Sequence, residues 1–385
     1  MRPQSAIVVG AGIGGLAAAC ALVQRGWQVR VLERAKMLAE IGAGLTLSPN
    51  AMRSVTALGI EPQLRPWLSL PPYQISEDPL SGAETNRLVR GESALQQYGA
   101  PYAFVHRADL HNTLRQHLQS LSPDALLLGH DCESAVSGET SATVRCSGNR
   151  LFDADLIIGA DGVRSIVRSA LLGADAARYT GFVAWRALLP LDVVPAGSAP
   201  AGSAICFGIG KCFVRYLIEP RGLLNVVAFA RQNNWVEESW SVPADSATPA
   251  ALFADWHPAL SALWRIVPRS TCFQWGLFDR DPIDSYAFGR VALLGDAAHP
   301  MLPFLGQGAA LALEDAVVLA RALDVDADVP EALARYNAVR QPRGRAAQLE
   351  SRAAGQRLHG DGGDPREINE ETLDYFCYDP LAVPL

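Results

Sequence analysis

Six residues near the start of the chain, Gly10-Ala11-Gly12-Ile13-Gly14-Gly15, have the composition of a turn that binds an anionic ligand through its backbone. Ala6 to Val9 reads as a strand buried on both faces, Leu16 to Val23 as a helix ending near Gly26, and Val29 to Leu32 as a second strand. In that setting Gly10 permits the tight turn and Gly12 lets the backbone approach a pyrophosphate. Gly15 lets the helix pack close to the strand, with Gly14 beside it. Free amides and the positive helix end then hold the anion. Glu33, next to Arg34, follows at the expected spacing of about 20 residues, where a carboxylate accepts hydrogen bonds from a ribose hydroxyl. An acid there repels a phosphate on that ribose, so the turn suits FAD or NAD better than NADP.

A second glycine block lies almost a whole chain away. Arg290 to Leu294 reads as another short buried strand, closed by Gly295-Asp296, and a carboxylate at a strand end can bind a hydroxyl of a ribityl chain or simply serve as a turn residue. After Pro300 and Pro303 come Gly306-Gln307-Gly308 and a strongly helical run from Ala309 to Ala320. The amides and dipole of that helix start suit an anionic flavin edge, and its glycines keep side chains clear of a planar ring. A plain nicotinamide dehydrogenase would use only the first block. FAD, whose ring must also be placed, uses both.

The elements that would position these blocks are spread along 385 residues, long enough for two domains. Between about Thr180 and Phe278 the chain alternates short β-rich runs with turns, as in Phe213 to Ile218 and Leu223 to Phe229. These predict a mixed or antiparallel sheet forming one wall of a substrate pocket, with a helical stretch around Ala251 to Ile266 packed on it and outer strands or a loop from residues 71–101. The fold class expected is α/β: a discontinuous Rossmann-like FAD-binding domain (1–72, 102–178 and 279–345) with an inserted mixed β-sheet substrate domain (73–101 and 179–278) and C-terminal helices, the tail covering 346–385. The aromatic segment Tyr375 to Pro380 is expected to dock on the body of the protein.

Composition narrows the function classes. With 49% apolar and 19% charged residues the chain is an ordered globular protein. A net charge of -7 gives no basic face for nucleic acid, and Arg340 and Arg343 read as a solvated helix face. No run is long and apolar enough for a membrane span, and no signal-peptide pattern precedes Ser5. Seven scattered cysteines without a Cys-x-x-Cys spacing argue against disulfides and a metal site, and a cytoplasmic location is expected.

Taken together, the motifs resemble the class A flavoprotein aromatic hydroxylases, close in pattern to the salicylate and 3-hydroxybenzoate hydroxylases. The similarity runs through Gly10 to Glu33, Gly42 to Leu45 with Pro49-Asn50, His106 to Leu110, Gly159 to Ser165, Gly181 to Arg186, and Gly295 to Gly308. It implies that Arg107 and Asp161 lie beside FAD, Asp161 toward the pyrophosphate and nicotinamide side. It also implies that Asp296 binds the ribityl chain, that Pro303, Gly306, Gln307 and Gly308 face the isoalloxazine, with Pro303 part of the catalytic site, and that Gly44, Leu45 and Ala309 help bind the cofactor. The implied reaction is NAD(P)H-dependent insertion of one oxygen atom from O2 into a small aromatic substrate through a flavin hydroperoxide. NADH or NADPH would visit transiently, and the enzyme would be a monomer or homodimer.

Relatives often carry a histidine base where this chain has Cys212. Tyr216 is then the first candidate base and Arg215 a candidate partner for a substrate carboxylate, although strand alternation lets at most one of them face the pocket. His299 is expected to hold structure rather than to catalyse. Without a base, the substrate could be already activated, as an aniline, indole or polyketide-like enol is. Two other readings share the cofactor motifs: an FAD-dependent epoxidase or tailoring oxygenase, and a flavoprotein that binds a ligand without catalysis.

Overall fold

The computed structural model describes residues 4–38, 42–233, 235, 242–268, 271–360 and 374–385. Strands from five distant stretches lie parallel in one sheet, in the order Val291–Leu293, Leu156–Gly159, Ser5–Val9, Gln28–Glu33 and Leu126–Leu128. Ala287–Phe288 adds an antiparallel edge. Val8, Val31, Ile157, Ile158 and Leu293 are all fully buried, as a sheet covered on both faces requires.

The register of that sheet creates the site. Val9 pairs with Gly159, and Gly159 with Leu293. The three turns that follow, at Gly10, Ala160-Asp161 and Gly295, therefore leave the sheet side by side at its carboxyl edge, where open parallel sheets bind ligands. Gly10 (φ 102°) and Gly295 (φ 58°) take left-handed conformations there that a side chain would strain. The helix Ile13–Val23 is buried at every residue from Gly15 to Leu22 and packs against Gly308–Val325 and Arg107–Leu121. Both glycine blocks thus start helices that touch one another, although nearly 300 residues separate them in the chain.

A second sheet of eight strands runs in the order Val242–Pro243, Phe273–Asp279, Arg178–Pro190, Leu223–Arg231, Lys211–Ile218, Ser203–Gly208, Tyr73–Glu77 and Glu84–Val89. It is mixed, because Ser203–Gly208 pairs parallel with Tyr73–Glu77 while its other pairs are antiparallel. Residues 73–89 form its edge. One face holds Trp185, Phe213 and Val226 against Phe253 and Trp264. The helical stretch expected over Ala251 to Ile266 is two helices, Ala247–Leu252 and Pro258–Ile266, because Pro258 suits a helix start and not an interior.

The tail differs from expectation. A single helix spans Val329–His359, so a boundary at 346 falls inside it, and the turn-rich segment 374–385 is not helical. Pro342 sits within this helix, which tertiary contacts hold on either side. Gln348 Nε2 donates to the Pro300 carbonyl at 2.9 Å, and Ser351 Oγ to that of Leu302 at 2.6 Å. Arg340 and Arg343 are not a solvated face. Arg340 is fully buried and bonds both Glu314 and Asp315 at 2.7 Å, while Arg343 bonds Glu314 and lies 3.8 Å over the Tyr378 ring. The aromatic tail docks through Arg53, whose Nη1 donates to the carbonyls of Phe376 (2.6 Å) and Tyr378 (3.2 Å). Among the described residues no helix is long and apolar enough to cross a membrane, and all seven cysteines are free.

Candidate active site

Two cavities meet at the carboxyl edge of the parallel sheet. One, of about 230 Å³, is bordered by Gly10, Glu33, Arg34 and Asp161. The other, of about 410 Å³, runs from Gly14 and Asp296 to the inner face of the eight-stranded sheet. Both are lined by Gly12, Ala160 and Gly162, which makes them one elongated groove. An extended dinucleotide with a flat head matches that shape, with its phosphates at the waist.

The waist fits an anion. An added Cβ at Gly12 or Gly162 would meet nothing within 4 Å, and the same holds at Gly308, so the backbone is bare where a ligand would lie against it. Neither Gly12 nor Gln307, the residues preceding the two helices, caps its helix with a side chain, and neither helix has an acid in its first turn. Their first amides are left for a ligand. Gly15 does a different job. A Cβ there would lie 2.0 Å from the Gly10 carbonyl oxygen, so glycine is needed for helix and turn to touch.

The acids are placed less simply than their types suggest. Glu33 accepts from the amides of Ala11 (2.9 Å) and Ala35 (2.8 Å), bracing the loop while it borders the smaller cavity. Asp161 also borders it, but its carboxylate is turned to the helix Ile166–Leu172, accepting from the amides of Ile166 (2.7 Å) and Val167 (3.1 Å) and from the Ser165 hydroxyl. Asp161 thus lies at the smaller cavity, as expected, while its carboxylate caps the helix that follows. Asp296 borders the larger cavity, where burial pushes its carboxyl above the usual range and the charges of His299 and Arg107 pull it back. Arg107 lines the same cavity, as do Gly44, Leu45, Pro303, Gly306, Gln307, Gly308 and Ala309. His299 lies outside it, buried with Nε2 2.6 Å from Asp315.

The sheet wall carries polar groups that face the larger cavity. Alternation along Lys211–Ile218 sends Cys212, Val214 and Tyr216 into the cavity and Arg215 to the opposite face. There Arg215 Nη2 pairs with Glu77 at 2.7 Å, both side chains buried, so Arg215 is corrected from a substrate contact to a structural ion pair. Tyr216 is stacked on Phe104, ring centroids 4.0 Å apart. Burial pushes its phenol far above the ordinary tyrosine value, which favours the neutral, donating form over a base. Burial likewise keeps the Cys212 thiol protonated. Among the described residues lining the larger cavity, Asp296 is the sole carboxylate and there is no histidine.

Two lining residues were missed by reading the sequence. Arg186 reaches the cavity with its guanidinium 5.2 Å over the Trp275 ring. Asn225 lines it from the apolar strand Leu223–Arg231, where a lone amide in line with Val227 and Phe229 was the available signal.

The profile of a family described as an FAD binding domain matches residues 4–351. The chain is 36% identical to the 6-hydroxynicotinate 3-monooxygenase of Bordetella bronchiseptica over 383 residues, covering 98% of this chain and 96% of that protein. It is 37% identical to the 3-hydroxybenzoate 6-hydroxylase of Polaromonas naphthalenivorans over 358 residues, covering 92% of this chain and 88% of that protein. Among solved structures, Klebsiella pneumoniae HpxO complexed with FAD and uric acid superposes with a TM-score of 0.85 at 28% identity, covering 99% and 97% of the two chains.

Proposed function

The chain belongs to the FAD binding domain family, as an FAD-dependent monooxygenase that hydroxylates small aromatic compounds with O2, and on that premise we propose that NADH or NADPH is its reductant and an anionic aromatic acid its substrate. The observation that carries the substrate reading is the sheet wall: Arg186, Tyr216 and Asn225 supply a cation and donors, with no carboxylate among the described residues of that wall. The names of the two relatives, an oxygenase of 6-hydroxynicotinate and one of 3-hydroxybenzoate, support it.

Bound FAD supplies the electron transfer and oxygen activation. The chain supplies position and exclusion of water. We assign the pyrophosphate to the amides at Gly12 to Gly14, the adenosine ribose to the Glu33-Arg34 end, and the ribityl chain to Asp296 with Arg107 nearby. Gly44, Leu45, Pro303 and Gly306 to Ala309 would hold the ring, the last of these at the start of the helix Gly308–Val325. Apolar side chains such as Val227, Phe229, Leu302 and Phe304 keep water from the space between ring and sheet. Tyr216 holds its proton and donates a hydrogen bond. With Cys212 and Tyr216 both protonated, the substrate enters in a form that needs no proton removed by this wall.

In this division residues 73–101 and 179–278 form the substrate side. The nicotinamide visits transiently, consistent with a single fingerprint turn at Gly10 to Gly15. A cytoplasmic location accords with seven free cysteines, and the assembly we propose is a monomer or homodimer. Measuring NAD(P)H consumption, oxygen uptake and product together tests the reading. Acids such as 3-hydroxybenzoate and 6-hydroxynicotinate should stimulate uptake, with product formed in step. Coupled turnover of neutral indoles, anilines or enols, with none for the acids, would reject it in favour of a tailoring oxygenase.

A further inference from the structure

Asn225 sits in an unusual state for a buried amide. It is 1% exposed, and its Oδ1 accepts the Gly44 amide proton at 3.0 Å. That bond fixes which end is oxygen and turns Nδ2 the other way. Nδ2 is buried without a hydrogen-bond partner in a side chain that lines the larger cavity. An unmet donor at such depth costs about 1–3 kcal/mol, so its natural complement is an acceptor on a bound molecule.

The register says which acceptor. Asn225 pairs directly with Tyr216 on one neighbouring strand, and on the other Arg186 pairs with Val227, two residues along from Asn225 on the same face. Arg186 is close enough to act electrostatically on the Tyr216 phenol. Three strands therefore bring an amide donor, a phenol donor and a guanidinium to one corner of the cavity, beside Gly44.

We propose that Asn225 is a specificity-determining residue, its Nδ2 donating to an anionic oxygen of the aromatic substrate in the corner it shares with Arg186 and Tyr216. This rests on the aromatic-acid reading above. The oxygen is either a carboxylate or a ring oxyanion, and both are acceptors that this donor set holds without a base.

Asn225→Asp tests it. Aspartate keeps the shape and the acceptor for Gly44 but replaces the donor with a negative charge. Binding to the FAD-loaded enzyme is read by flavin absorbance and fluorescence, with 3-hydroxybenzoate, 6-hydroxynicotinate, benzoate and 3-hydroxybenzamide as probes. Kd for the hydroxy acids should rise about tenfold or more, the equivalent of one charge-assisted hydrogen bond, in a variant that folds and retains FAD. A rise that persists for benzoate places the donor on the carboxylate, and one that persists for 3-hydroxybenzamide places it on the ring oxygen. Unchanged Kd for every probe that the wild type binds would overturn the role of Asn225 alone. Loss of FAD from a folded variant would also overturn it, by assigning the donor to the cofactor. A yellow wild-type enzyme that binds none of the four probes would overturn the substrate reading and this inference with it.

Discussion

Replacing Arg340 with alanine is expected to destabilise the protein by about 3–5 kcal/mol, because it strands two buried carboxylates. Arg340 Nε donates to Asp315, Nη1 to Glu314 and Nη2 to the Leu311 carbonyl, and all three charged side chains are fully buried. Around this centre Glu314 also meets Arg343 and Asn50, and Asp315 meets His299 and the Gly295 amide. Asn50 passes the connection to Gln307 at 2.9 Å, at the start of the second glycine-block helix. The network thus fixes both Gly295 and Gln307, so the variant should lose FAD retention along with stability. Urea or thermal unfolding measures the first, and bound flavin the second. A shift under about 1 kcal/mol would show that the carboxylates find other partners.

The same network has a pH signature. Burial pushes the Glu314 and Asp315 carboxyls up, but Arg340 opposite both, with Arg343 at Glu314 and His299 at Asp315, pulls them below the ordinary carboxylate range. The folded form therefore holds fewer protons than the unfolded form. The stabilisation is complete above roughly pH 4–5, the unfolded carboxylate range, and fades as pH falls below it.

A valine at position 12 should give the opposite phenotype: a folded protein without colour. Gly12 lies at φ -72°, ψ -179°, extended backbone that any residue adopts, and its Cβ direction is open. Nothing in the protein resists the substitution, so the side chain occupies the groove instead. Losing two charge-assisted bonds to the pyrophosphate would cost about 3–6 kcal/mol, or roughly 10²- to 10⁴-fold in FAD affinity. Gly15→Ala is the counterpart, since its Cβ meets the Gly10 backbone and the fold itself should suffer. Flavin titration of Gly12→Val with a parallel melting curve decides the matter. Full FAD occupancy would remove the pyrophosphate from that turn.

Much of this was legible in the sequence because glycine and short apolar runs report backbone geometry locally. Gly10, Gly12 and Gly15 could be told apart by position, and Arg290 to Leu294 announced a buried strand before a turn. What escaped depends on contacts between distant segments. Arg340 looks like a surface cation until Glu314 and Asp315, 26 and 25 residues earlier, are brought against it. Asp161 was placed beside the cofactor from the sequence, but its bonds to its own downstream amides are seen only in the fold. Asn225 and Arg186 belong to different strands, and only the pairing of Arg178–Pro190 with Leu223–Arg231 brings them to one face. Tyr216 was named from the strand on which relatives carry a histidine, but its protonation follows from burial against Phe104, which no local pattern encodes.

Isotope labelling addresses the central claim most directly, namely that one FAD held across both glycine blocks hydroxylates an aromatic acid at the sheet wall. Turnover of the FAD-loaded enzyme with NAD(P)H and the best acid of the panel, under 18O2 in ordinary water, should give product carrying one labelled oxygen atom. Product whose new oxygen comes from water, or NAD(P)H consumed with every acid and no hydroxylated product, would contradict it.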